Sequence, residues 1–337
     1  MLLIVGPGAV GTVIAGYLGA AGRPLRLQCT RHDLPAVAAA EGIAVERVTG
    51  GPALAGPRPL LTTSADPDEV RQVLICVKHP DLDAALDGLP ADMRADTPLV
   101  STLNGVGALR RIRERFPGHP VLPATILFNA QLLEPLHARV SARPQIGIPR
   151  EHGATVALFR GSGLRVRAAR GEAAAWGKLL FNLSAGIAAL THSTFREVLT
   201  VPGLRAVYAD LLDEGAEVLR TAGIDFSVPV GVPLTVFLRL LRHNGGAAWR
   251  LAAWRLGLGG SAYPSMVSDL AHGRRTEIDL LSGEIAGLAR RNGLEATRNQ
   301  RIAELVTAAE RGESRIPMTA DMLVAAMDRR QATVRPG

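Results

Sequence analysis

Cysteine is nearly absent: Cys29 and Cys76 are the only two in 337 residues. Two thiols, each inside an apolar strand-like run, exclude a disulfide framework and a clustered cysteine metal site. They suit buried thiols in a reducing cytoplasm. Aromatic residues are also scarce, at 4%, so the core must be built from Ala, Leu, Val and Ile. Charged residues make up 20% and hydrophobic ones 47%, a globular balance that excludes a wholly disordered chain. The formal charge is +7, yet no block of five consecutive basic residues occurs. The cations are scattered as on a solvated basic surface, which argues against nucleic acid as the partner. Charge is missing altogether from Met1 to Gly22. A signal peptide would need a basic start, and this stretch divides instead into a strand, a glycine turn and a helix. No other charge-free run approaches the roughly 20 residues of a membrane helix, so no membrane partner is expected.

At roughly 100–200 residues per domain, the length suggests two domains. The first part alternates between periods. Apolar runs at Met1–Val5, Pro24–Cys29, Val73–Val77, Leu99–Leu103 and Val121–Leu127 read as strands. Ala9–Ala21, Asp81–Leu86 and Leu109–Phe116 read as helices between them. Uninterrupted apolar strands joined by helices imply a parallel, doubly wound sheet. From about Glu172 strand signals nearly vanish. Ala173–Leu190, Leu204–Ala222, Glu277–Arg291 and Asn299–Arg311 carry helical periodicity. The expected division is therefore a Rossmann-type α/β domain over 1–170 and an all-helical domain over 171–330. Gln331–Gly337 is expected to be a frayed tail.

Gly6-Pro7-Gly8-Ala9-Val10-Gly11 fits G-x-G-x-x-G between the first strand and the first helix. In that setting Gly6 permits the tight turn, Gly8 lets backbone approach a pyrophosphate, and Gly11 allows close helix–strand packing. The helix then offers its free N–H groups to the phosphates. A ribose-binding acid is expected about 20 residues on in an NAD site. Here Arg31 stands twenty residues after Gly11, between Thr30 and His32, and no acid lies between Arg23 and Arg31. A guanidinium suits a 2′-phosphate, so NADPH/NADP+ is the expected cofactor.

In an open parallel sheet, ligands sit beyond the carboxyl ends of the strands. Lys78 follows Val73–Val77, and Asn104-Gly105 follows Leu99–Leu103. In the helical part, Lys178 and Asn182 lie four apart, on one helix face, among apolar neighbours. Burial would lower the lysine's pKa towards the range useful for proton transfer. A further cluster runs from Ser265-Met266 to Thr276-Glu277-Ile278-Asp279. On one straight helix Ser265 and Glu277 would stand about 18 Å apart. Gly273 is expected to break the helix, with Thr276 as an N-cap and Asp279 its partner three residues on.

Taken together, these motifs resemble the ketopantoate reductase family (2-dehydropantoate 2-reductase), over nearly the whole chain. The resemblance implies a Rossmann domain, a helical domain, and an active site between them. It implies NADPH-dependent reduction of 2-dehydropantoate to (R)-pantoate, a step towards pantothenate and coenzyme A. Carried over by residue, it makes Lys178 the general acid, held and tuned by Glu277, which would also bind substrate. Asn104, Asn182 and Ser265 would bind the substrate, Asn104 also the cofactor, Lys78 would contact cofactor or substrate, and Arg31 the 2′-phosphate. Many pantoate-forming members carry an asparagine where this chain has Gly186, and the segment from Ile224 to Ser265, with Trp249, Arg250, Trp254 and Arg255, is long for the family. Both departures keep open a relative reducing another 2-oxo acid or carbonyl compound. A non-catalytic NADPH-binding redox sensor is a third reading, though it needs no lysine opposite a carboxylate. A homodimer stays open.

Overall fold

A computed structural model describes residues 1–48, 54–140, 143–230, 232–243 and 263–328. The chain divides into two compact units, Met1–Ala175 and Trp176–Gly337. The tail from Gln331 and the tryptophan- and arginine-bearing part of the 224–265 segment lie outside the described residues.

The first unit is organised by a six-stranded sheet. In chain order its elements are β1 (Leu2–Val5), α1 (Ala9–Ala20), β2 (Leu25–Gln28), α2 (Leu34–Ala39), β3 (Gly42–Arg47), β4 (Leu54–Pro57), β5 (Leu60–Thr62), β6 (Gln72–Ile75), α3 (Leu82–Asp87), β7 (Leu99–Ser101), α4 (Gly107–Arg115) and β8 (Val121–Pro123). The sheet order is β5-β2-β1-β6-β7-β8, and every pair is parallel. Going out one way from β1 and then back past it is the doubly wound arrangement, and it creates a switch point beside β1.

The alternation of side chains along β1 feeds two cores. Leu2 and Ile4 join one with Val13, Ile14, Tyr17 and Leu18 of α1. Leu3 and Val5 join the other with Leu82 and Leu86 of α3 and Leu109 and Ile112 of α4. All four β1 side chains are buried, and burial of each contributes about 1.5–3 kcal/mol.

The strand expected over Val121–Leu127 is two strands. After β8 the chain leaves the sheet at Ala124, and β9 (Thr125–Ile126) pairs elsewhere. The remaining elements are β10 (Ala130–Glu134), β11 (His137–Val140), β12 (Gln145–Pro149), α5 (Gly153–Leu158) and β13 (Arg165–Ala169). They form two smaller sheets, β10-β11-β3-β4 and β13-β12-β9. The first of these packs on α1.

The second unit is helical among its described residues. Its helices are α6 (Glu172–Phe181), which starts at the end of the first unit, then α7 (Ser184–Thr191), α8 (Phe195–Thr200), α9 (Pro202–Thr221), α10 (Leu234–Arg242), α11 (Ser265–Ala271), α12 (Ser282–Arg291), α13 (Thr297–Glu310) and α14 (Ala320–Asp328). The 20-residue α9 is the hub, touched by α7, α8, α10, α12, α13 and α14.

The single helix expected over Ala173–Leu190 is broken at Asn182–Leu183. The Phe181 carbonyl, released from the helical ladder, accepts from the Tyr208 hydroxyl at 2.9 Å and from the Ser184 hydroxyl at 3.2 Å. Tyr208 is fully buried, and burial pushes its phenol pKa far up. Glu172–Thr191 has the length and apolarity to cross a membrane, but 61% of its most apolar stretch is buried inside the protein.

Candidate functional site

The glycine turn joins β1 to α1 with the expected division of labour. Gly6 has φ of +101°, and a Cβ there would meet Val77 Cγ1 at 2.8 Å. A Cβ on Gly11 would stand 2.0 Å from the Gly6 carbonyl oxygen, so the helix starts against the turn only with glycine there. Gly8 differs: its backbone is unstrained, and a Cβ would meet only the Cys76 carbonyl oxygen, at 3.9 Å. The space before Gly8 is open, and no side chain caps the start of α1. An open cradle at an uncapped helix N-terminus fits a pyrophosphate. Pro7 shapes the turn by accepting from Thr12 Oγ1 at 3.1 Å, while Ala9 and Val10 form the first turn of α1.

Arg31 lies beyond the carboxyl end of β2 and is exposed. The nearest acid, Asp33, accepts from Thr30 Oγ1 at 2.7 Å, and its own N–H donates back to that hydroxyl at 3.0 Å. Asp33 is thus tied to Thr30, and no ion pair to Arg31 occurs among the described residues. An uncommitted guanidinium at this strand end fits a 2′-phosphate.

Lys78 and Asn104 lie beyond the carboxyl ends of β6 and β7, Lys78 exposed and Asn104 half-buried. Sequence reading missed the residue that joins their loops. His79 is 6% exposed and its Nε2 lies 2.6 Å from the Asn104 carbonyl oxygen. The carbonyl can only accept, so the ring carries a proton on Nε2. His79 thereby fixes the backbone that presents Asn104. The sequence reading begins a helix at Asp81, where the chain forms a 3₁₀ turn over His79–Asp81 before α3, and nothing local marks the histidine's long-range partner.

In the second unit, Lys178 and Asn182 stand one turn apart, with the Asn182 N–H donating to the Lys178 carbonyl at 2.9 Å. Both are half-buried. Burial lowers the Lys178 ammonium from 10.5 to about 8, and the Glu277 carboxylate opposes that lowering. Gly177 sets the neighbouring geometry: a Cβ there would lie 1.9 Å from the Ser227 carbonyl oxygen. The Ser227–Val228 backbone therefore crosses α6 directly beside Lys178.

Ser265 and Glu277 are separated by a true break. The helix α11 ends at Ala271, and Gly273 has φ of +63°. Ser265 is the exposed first residue of α11, after Pro264, and caps nothing. Glu277 is half-buried and begins a 3₁₀ turn, Ile278–Leu280, so the helix expected from Glu277 starts only at Ser282. The cap expected between Thr276 and Asp279 does not form. Thr276 Oγ1 accepts from the Ile278 N–H at 3.2 Å, and Asp279 pairs with Arg275 at 3.4 Å. The Thr276 N–H donates instead to Glu310 Oε1, at 2.7 Å. Glu310, the last residue of α13, thus holds the backbone one residue before Glu277. Its distance of 34 residues left no sequence signal.

Gly186 on α7 faces Ile278 and Ile302; a Cβ would meet each at 3.2 Å. That space is occupied by apolar side chains. No group of three or more His, Cys, Asp or Glu residues that could hold a metal occurs among the described residues.

Comparison with known proteins covers both units. Residues 2–151 match the family model described as ketopantoate reductase PanE/ApbA, and residues 171–310 match its C-terminal model, ketopantoate reductase PanE/ApbA C terminal. The chain is 26% identical over 323 residues to a 2-dehydropantoate 2-reductase of Halobacterium salinarum, covering 92% of this chain and 99% of the relative. Its fold is similar to that of a PanE/ApbA family ketopantoate reductase from Ralstonia eutropha JMP134, with TM-score 0.74, 24% identity, and coverage of 93% and 99%. It is also similar in fold to D-mandelate dehydrogenase, solved with NADH and anilino(oxo)acetate, with TM-score 0.76, 20% identity, and the same coverage.

Proposed function

This chain belongs to the ketopantoate reductase family, and we propose that it is an oxidoreductase reducing 2-dehydropantoate to pantoate with NADPH. The observation that carries the reading is Lys178, whose ammonium is brought to about 8 by burial against the pull of Glu277, one helical turn from Asn182. A general acid works best with a pKa near the operating pH.

In this reading the first unit is the NADP-binding domain and the second carries the substrate chemistry. The Gly6–Gly11 turn and the N-terminus of α1 hold the pyrophosphate, Arg31 the 2′-phosphate, and Lys78 the inner part of the cofactor or the substrate. The dinucleotide, when bound, supplies a hydride to the ketone carbon. Lys178 Nζ stabilises the charge that develops on the ketone oxygen and gives it a proton. Hydride plus proton complete a two-electron reduction to the alcohol. Glu277 keeps Lys178 protonated near neutral pH. Asn104, Asn182 and Ser265 hold the substrate's carboxylate and hydroxyl groups. His79 and Glu310 act through Asn104 and Glu277 respectively, as positioning residues.

One observation favours a second reading, reduction of another 2-oxo acid. Ile278 and Ile302 fill the space beside Gly186, so no polar group there recognises a substrate hydroxyl. NADPH oxidation measured across a panel of 2-oxo acids tests both. The highest kcat/KM for 2-dehydropantoate supports the first reading, and a higher value for an acid without a 4-hydroxyl supports the second. No turnover with any member refutes both.

A further inference from the structure

We infer that the first unit carries a second anion site at the amino-terminal edge of its sheet, opposite the glycine turn. A cavity of about 670 Å³ lies there, against Met1 and the starts of β2, β5 and β6. That volume is in the range of small-ligand sites. Four arginines line it, Arg23, Arg26, Arg58 and Arg71, against two carboxylates, Asp68 and Glu69.

The way these cations are held leaves their charge in place. Among the described residues only Arg26 of the four is paired with a carboxylate, Glu69, at 2.9 Å. Arg23 Nη2 donates to the Arg160 carbonyl at 2.9 Å, and Arg71 Nη1 to the Asp68 carbonyl at 2.7 Å. Arg58 Nη1 donates to the carbonyls of Ala38 and Ala40. A carbonyl orients a guanidinium without neutralising it, and each guanidinium has five N–H donors, most of them still to spend. An anionic oxygen in the cavity meets that surplus charge bidentately.

The rest of the lining is apolar. Leu25 and Pro24 form one part, and Pro57, Pro59 and Leu60 another. Leu60 is 68% exposed, which a ligand body would cover. The ligand class is therefore an anion on a small apolar body, best matched by a phosphate monoester. This site does not depend on the proposed reductase activity.

Calorimetric titration of the full chain with phenyl phosphate tests it, with phenol as the uncharged control. Wild type is expected to bind phenyl phosphate and not phenol. R58Q/R71Q should weaken that binding tenfold or more while R290Q, at an exposed arginine of α12 in the second unit, leaves it unchanged. Thermal unfolding checks that the variants are folded; if the double variant is not, R58Q alone should still weaken binding at least threefold. No binding to wild type, equal binding of phenol, unchanged binding in the cavity arginine variants, or an equal loss in R290Q each overturns the inference.

Discussion

Replacing Lys178 is the sharpest test of the mechanism. Removal of a positioned general acid typically costs about 10²–10⁴ in rate. A folded Lys178→Ala enzyme should lose kcat by that order while cofactor affinity is retained. The pH profile adds a signature that a structural role would not produce. With its pKa at about 8, Lys178 is mostly protonated at pH 7 and mostly neutral at pH 9. Ketone reduction should fall roughly tenfold per pH unit above 8, and alcohol oxidation should rise through the same region. Glu277 raises this pKa, so Glu277→Gln should move both limbs to lower pH, and Lys178→Ala should abolish them. The double variant should be less impaired than the product of the single effects, as for groups acting as a unit. Stability should respond oppositely. The folded-state pKa is below the usual 10.5, so the unfolded chain binds more protons between pH 8 and 10.5. Stability therefore rises with pH across that window, and below pH 8 the full penalty is present. The interval bounds it at about 3 kcal/mol, reduced by solvent because Lys178 is half-buried. Lys178→Met should raise Tm at pH 7 and lose that advantage near pH 11. Stopped-flow NADPH oxidation from pH 6 to 10, with thermal unfolding from pH 6 to 11, provides the measurements. Wild-type kcat in folded Lys178→Ala, or a limb at pH 8 that survives it, would refute the reasoning.

Three further outcomes follow from the geometry. Arg31→Ala should weaken NADPH binding by tenfold or more and leave NADH nearly unchanged, by fluorescence titration; tighter binding of NADH than NADPH by wild type would remove the 2′-phosphate role. Gly177→Ala should lower both Tm and kcat, because its Cβ would overlap the Ser227 carbonyl; unchanged values would show that the crossing backbone yields freely. Glu310→Ala should cost about 1–3 kcal/mol by leaving the Thr276 N–H unpaired. It should also disturb the pH limb set by Glu277, and an unaltered limb would confine Glu310 to stability.

What could be read from the residues depended on how local the determinants were. The β1–turn–α1 unit was legible because glycines and an all-apolar strand specify it within twenty residues. Strands β6 and β7 were legible because burial on both faces leaves an uninterrupted apolar run. Strands β3, β4, β10 and β11 were not, because one-sided burial and interspersed Gly and Pro dilute the pattern. The Lys178–Asn182 spacing was visible as helical periodicity, and the break after Phe181 was not. Leu and Asn carry no stop signal there; the hydroxyl of Tyr208, 27 residues away, takes the carbonyl. The same logic explains Thr276, whose local sequence resembles a cap while Glu310 claims its N–H. His79 and Glu310 stayed hidden because each acts through a backbone group distant in sequence.

The bend at Asn182–Leu183 has a consequence for the chain as it is made. Tyr208 lies well downstream, so the stretch from Glu172 to Thr191 emerges before the hydroxyl that ends its first helix exists. Until α9 arrives, a nascent chain presents twenty largely apolar residues with nothing to divide them. In that interval the segment has the length and apolarity of a bilayer-crossing helix, interrupted by the charge of Lys178. In the folded protein the tyrosine hydroxyl meets the carbonyl where the two short helices part, and most of that apolar surface is buried in the core.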